Sequence, residues 1–195
     1  MKSRVAVPLL CLLVWMVVLA CSNGVMPTDA VGASFNASGR SSFGFNGTAK
    51  GFPTGAVRLT GGGSYDPATA SNVIPTDTTV ANLSGSFDCT DPIAQGPLTG
   101  CQKDQGVRWD TAQLLESTTF KCTAADTPLP ATTSAHTAVL LADFYRAGDG
   151  IDESFTAQMI VSDSDLAPGI DGIQTLWVQG VGCGVANAHF NGRGE

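Results

Sequence analysis

From Ser42 onward, apolar and polar residues alternate in short runs. Phe43 and Phe45 share a face with Gly47, Ala49 and Gly51. Val57, Leu59 and Tyr65 alternate with Arg58, Thr60 and Ser64, and Leu83, Phe87 and Cys89 with Ser84, Ser86 and Asp88. A period of two is the mark of a half-buried strand. Similar runs follow at Val107–Thr111, Thr118–Thr123, His136–Arg146, Ser154–Val161 and Ile173–Val181, divided by Gly, Pro and Asp. Helical periodicity is absent except for a single turn expected at Thr111–Glu116. Short strands without intervening helices predict an all-β domain of about 7–9 strands, a single antiparallel β-sandwich with a β-barrel as the alternative. The 23 glycines, three of them consecutive at Gly61–Gly63, suit a tightly curved sheet in which backbones approach closely.

The start of the chain has a different pattern. Lys2 and Arg4 precede an apolar run, Val5–Leu19, interrupted only by Pro8. That run falls short of the ~20 residues a membrane-spanning helix needs, and its flanks are those of a secretory signal. Val18-Leu19-Ala20-Cys21 resembles the lipobox of bacterial lipoproteins, a class in which the cysteine carries a thioether-linked diacylglycerol. The resemblance covers residues 1–21 alone. It implies a signal peptide at 1–20, a lipid on Cys21, and an extracytoplasmic protein held at the cell membrane or outer membrane; free secretion is the alternative. Residues 21–41, small and polar with Pro27, read as a flexible tether. The domain proper is then 42–195. Gln105–Ala112 and Ala142–Gly150 are similar to stretches of secreted bacterial β-proteins, a resemblance that transfers no activity and no functional residue.

Loss of Lys2 and Arg4 with the signal moves the formal charge from −7 to −9. Neither sign forms a run, so no basic patch is available to phosphates, and nucleic acid is not an expected partner. The six cysteines divide by position: Cys11 leaves with the signal and Cys21 takes the lipid, which leaves Cys89, Cys101, Cys122 and Cys183. An oxidising compartment favours two disulfides among them. Turn residues between Cys89 and Cys101 favour a local bridge, with Cys122 then tied to Cys183; the other pairings stay open. A zinc site is disfavoured because there is no C-x-x-C and no histidine at ligand spacing.

The strongest candidate for metal chemistry is a pair of acidic loops. Asp149 and Asp152 lie in one, and Asp163, Asp165 and Asp171 in the next. Calcium takes six to eight oxygens from carboxylates and loop carbonyls, so these five are the candidate ligands. The spacing is not that of an EF-hand, and Asp is also an ordinary turn former. For a ligand such as a glycan, Trp109 and Tyr145 are the candidate stacking residues, Trp109 because its neighbours Arg108 and Asp110 are polar. Phe155, Met159 and Trp177 are expected in the core. His136 and His189 belong to no recognisable nucleophile motif. The three Asn-x-Ser/Thr sites, at Asn36, Asn46 and Asn82, count as glycan acceptors only in a eukaryotic secretory pathway.

No catalytic residue or resident cofactor is expected. The reading is of a non-enzymatic, envelope-anchored module that binds a protein or glycan. A calcium-assisted carbohydrate-binding module is one alternative, and a hydrolase using two carboxylates is the other.

Overall fold

The computed structural model describes residues 39–73, 81–146 and 153–192. The signal, Cys21 and the tether up to residue 38 lie outside the described residues, as do Asp149 and Asp152. Ten strands follow in chain order: β1 (Ser41–Gly51), β2 (Ala56–Tyr65), β3 (Ala81–Asp91), β4 (Arg108–Leu114), β5 (Ser117–Phe120), β6 (Leu129–Thr132), β7 (Thr137–Arg146), β8 (Glu153–Ser162), β9 (Leu176–Val178) and β10 (Gly182–Gly192). Eight of them close an antiparallel barrel in the order β1-β10-β9-β8-β7-β4-β3-β2, and β5 and β6 pair separately.

The fold is therefore the barrel alternative and not a two-sheet sandwich. Both put alternate side chains inward, so the alternation cannot separate them. Closure does. β1 pairs with β10 from Ser41 to Gly51 and with β2 from Ser41 to Lys50, which removes the edge a sandwich would leave.

One local expectation also changes, and one strand lies outside the expected set. The helical turn expected at Thr111–Glu116 is the end of β4, where a register shift between Thr111 and Gln113 leaves Ala112 without a partner on β7. Such a bulge breaks the period of two and imitates a helical spacing. β6, which contains Pro130, has no clear strand signal; its proline is tolerated because the hairpin is only two strands wide.

The barrel is filled by its own side chains, as eight strands allow. At one level the wall reads, strand by strand, Ala188, Phe45, Gly61, Gly85, Trp109, Phe144 and Phe155. Large and small residues alternate because the space demands it. Trp109 is fully buried, and its indole N–H donates to the Thr60 carbonyl at 2.9 Å. A Cβ on Gly61, whose φ is +154°, would come within 2.7 Å of the indole. Only glycine leaves that room.

Both ends are closed as well. After β3 the chain folds Ile93, Leu98 and Cys101 into the interior core, held by the Cys89–Cys101 disulfide. At the opposite end Phe43 stacks on Phe190 at 4.7 Å and meets Tyr65 edge-on. The Tyr65 hydroxyl donates to the Ser134 carbonyl at 2.6 Å.

A second core lies outside the barrel. Val139, Ile160, Trp177 and Cys183 stand side by side on β7, β8, β9 and β10. Leu115, Phe120, Ala131, Ala167 and Cys122 cover them. Where this layer covers them, strands β7 to β9 are buried on both faces, which explains the continuous apolar runs Ala138–Ala142, Met159–Val161 and Leu176–Val178. Trp177 belongs to this outer core, with its N–H donated to the Lys121 carbonyl at 3.1 Å. The Cys122–Cys183 disulfide, with Cα atoms 5.0 Å apart, clamps the segment after β5 to β10.

Candidate binding site

With the interior filled, the concave surfaces are external. The larger is a groove of about 940 Å³ over the outer face of β1 and β10. Thr48, Lys50 and Val185 form its floor beside the Cys122–Cys183 disulfide. Thr123 and Ala124, in the loop after Cys122, and Ile170 and Gln174, in the loop before β9, make its walls, and Phe52 also lines it. A smaller hollow of about 280 Å³, lined by Pro128, Gln158 and Trp177 among others, shares Phe52. No carboxylate lines either among the described residues.

Both walls are held by local hydrogen bonds. One Asp165 oxygen accepts from the amides of Ala167 (3.1 Å) and Gln174 (2.9 Å), and the Leu166 amide donates to the Gln174 carbonyl at 2.7 Å. Across the groove, Asp126 accepts from the Thr123 amide at 2.7 Å, and Lys121 donates to the Ala124 carbonyl at 3.1 Å. A site on such loops is pre-organised before any ligand arrives. Among the described residues, Lys50 is the only charged side chain in the lining, and its ammonium meets no acceptor.

The candidate residues read from the sequence fall in different places. Trp109 offers no stacking face, because the interior buries it completely; its polar neighbours Arg108 and Asp110 point the other way, as alternation along a strand requires. Tyr145 does lie on the outer surface, half-buried, with the Arg108 guanidinium 4.2 Å above its ring. Asp163 pairs with His136 Nδ1 at 2.7 Å and accepts from Ser164. Asp165 is committed to its own loop, and Asp171 is exposed. No group of three or more metal-ligating side chains converges among the described residues. The four domain cysteines form Cys89–Cys101 and Cys122–Cys183.

The His136–Asp163 pair had no signal in the sequence, since 27 positions separate the two residues. The ring carries no hydroxyl: Ser134 accepts from the His136 amide, and Ser162 donates to the His136 carbonyl. Nearby, burial pushes the Tyr65 hydroxyl well above the ordinary phenol range; Asp163 adds to this, while a hydrogen bond with Ser41 opposes it. Tyr65 is thus a neutral donor, not a base. The groove residues were equally illegible. One clue survives in β10, where Val185 is the apolar member of an outward set continued by Asn187, His189 and Asn191.

These features define a disulfide-bonded antiparallel β-barrel with a packed interior and an external groove. Its two disulfides suit an oxidising, extracytoplasmic compartment. No helix among the described residues is long and apolar enough to cross a membrane. No family model, curated protein or solved structure matches the chain.

Proposed function

We propose that this chain is a lipid-tethered extracytoplasmic module that binds a ligand on the outside of its barrel and performs no chemistry. The observation that carries this reading is the full interior beside a pre-formed external groove: Trp109 and its neighbours occupy the space where a ligand-carrying barrel keeps its cavity. The groove is of the size small-molecule sites have. Lipid on Cys21 would hold that surface near the membrane. Native mass spectrometry of protein purified from its own envelope in two detergents of different mass tests the idea. Expected are one non-covalent adduct per chain, independent of the detergent, and a denatured mass carrying diacylglycerol. A bare mass in both detergents overturns the binding role, and an unlipidated chain overturns the tether.

A glycan-binding reading has one observation in its favour. On the open outer face Asn187, Asn46, Thr60, Ser86, Arg108 and Tyr145 stand in register across six adjacent strands. Neighbouring strands lie ~4.8 Å apart, so these groups make an extended row of donors and acceptors that ends on an aromatic ring. Affinity electrophoresis against envelope polysaccharides would show retarded migration that Tyr145→Ala relieves. Unretarded wild-type protein would remove this reading. A calcium contribution through the Asp149–Asp171 loops would lower the melting temperature on chelation, and an unchanged melting temperature would dismiss it.

A further inference from the structure

We infer that the groove over β1 and β10 accepts a single-chain amphiphile with a carboxylate head, an assignment that rests on the binding role proposed above. Three observations converge on it. The first is charge: among the described residues, Lys50 places one uncompensated ammonium in a lining without any carboxylate. The neighbouring cation on the same barrel face, Arg58, is already neutralised by Asp88 at 2.9 Å. An anionic head group can pair with that ammonium, whereas a cationic head would meet repulsion and a neutral one would leave it without an ionic partner.

The second observation is the apolar surface beside that charge. Val185 is 59% exposed, although the outward residues that follow it on β10, Asn187, His189 and Asn191, are polar. Ile170 and the Cys122–Cys183 disulfide line the groove with it, and Phe52 lies on the other side of Lys50, so apolar surface borders the charge on both sides. Such a strip gains by covering with hydrocarbon, at ~25 cal/mol for each Å² removed from water. A sugar would leave it bare.

Third, the shape is fixed. Hydrogen bonds hold both walls, and the disulfide holds the floor to one of them, so little ordering cost falls on the binding step. Thr48, Thr123 and Gln174 are polar members of the lining and can bond to the second carboxylate oxygen or its water.

Octanoate is a suitable probe because it stays monomeric. Isothermal titration of the full chain in a maltoside detergent should give one saturable site for octanoate. Octanol and octyltrimethylammonium, which share its tail, should bind at least tenfold more weakly. Lys50→Gln should lose about tenfold in octanoate affinity, the scale of one charge-assisted hydrogen bond, and Lys50→Arg should recover most of it. Val185→Asn should weaken the tail contact several-fold while the melting temperature holds. Both positions are exposed, so the variants fold. Equal binding of octanol, or an unaltered affinity in Lys50→Gln, overturns the head-group assignment. If octanoate does not bind but envelope-purified protein still carries a stoichiometric adduct, this ligand class is wrong and the binding role stands. If both are missing, both fail.

Discussion

The barrel presents two unlike outer surfaces. Along β1, β2 and β3 the outward residues are Asn46, Thr48, Arg58, Thr60, Ser84 and Ser86, and water covers them. On β9 and the adjoining parts of β7 and β8 they are Val139, Ile160 and Trp177, and a protein layer covers them. The difference follows the strength of the wall. β1 is paired almost throughout with both neighbours, whereas β9 joins β8 and β10 through three residues each. Beyond that short joint the Thr175 hydroxyl substitutes for a strand, donating to the Ala186 carbonyl and accepting from the Ala186 amide. The weak seam lies beneath the outer core and the Cys122–Cys183 clamp. Where hydrogen bonds between strands are few, burial on the second face and a covalent link make up the stability.

That contrast can be broken from either side. The largest effect is expected inside, where Trp109→Ala empties a site walled by Phe45, Phe144 and backbone that cannot collapse. A loss of about 5 kcal/mol by urea unfolding is expected, at the top of the range for aromatic truncation. A loss under about 2 kcal/mol would mean that the interior is looser than described.

Next comes the seam. Replacing both Cys122 and Cys183 with serine removes a closure spanning 61 positions, worth about 4 kcal/mol on the chain-entropy account. Hydrogen exchange should rise first in β5, β6 and β9, with β1 to β3 still protected. Uniform exchange across the barrel would show that the outer layer does not back the seam specifically. The Cys89–Cys101 pair closes only 12 positions and should cost less, about 3 kcal/mol.

The smallest effect concerns the barrel end near Tyr65. Its hydroxyl is raised above the unfolded value of ~10, so the folded state holds the proton more tightly. The resulting stabilisation is complete below about pH 10 and is lost as pH rises from there toward the folded value, at up to ~1.4 kcal/mol per pH unit. Tyr65→Phe, less stable at neutral pH by about 1 kcal/mol through the lost bond to Ser134, should lack this alkaline decline. Parallel curves for the two proteins between pH 9 and 11 would show that Tyr65 is not the group responsible.

Strands such as Ser41–Gly51 and Ala56–Tyr65 were readable because a local rule, alternation, produces them. Thr111–Gln113 misled because a bulge adds a residue that no local rule announces. Trp109 was misjudged for a related reason. Its sequence neighbours are polar, yet neighbours in a strand face the opposite way, so they describe the outer surface while Trp109 fills the inside. Tyr145 lies on the outer surface, and its contact with Arg108 comes from the β4–β7 register, which no local pattern announces.

By itself the sequence determined an all-β domain of short strands, a curved glycine-rich sheet and four cysteines suited to an oxidising compartment. These follow from period, backbone freedom and redox chemistry, all of which act over a few residues. Only the tertiary structure decided that the sheet closes, that Gly61 and Gly85 make space for one indole, and that Lys50, Cys122, Ile170 and Val185 border one groove. Each of those depends on strand register, which brings together residues separated by tens of positions and is set by the packing of the whole barrel.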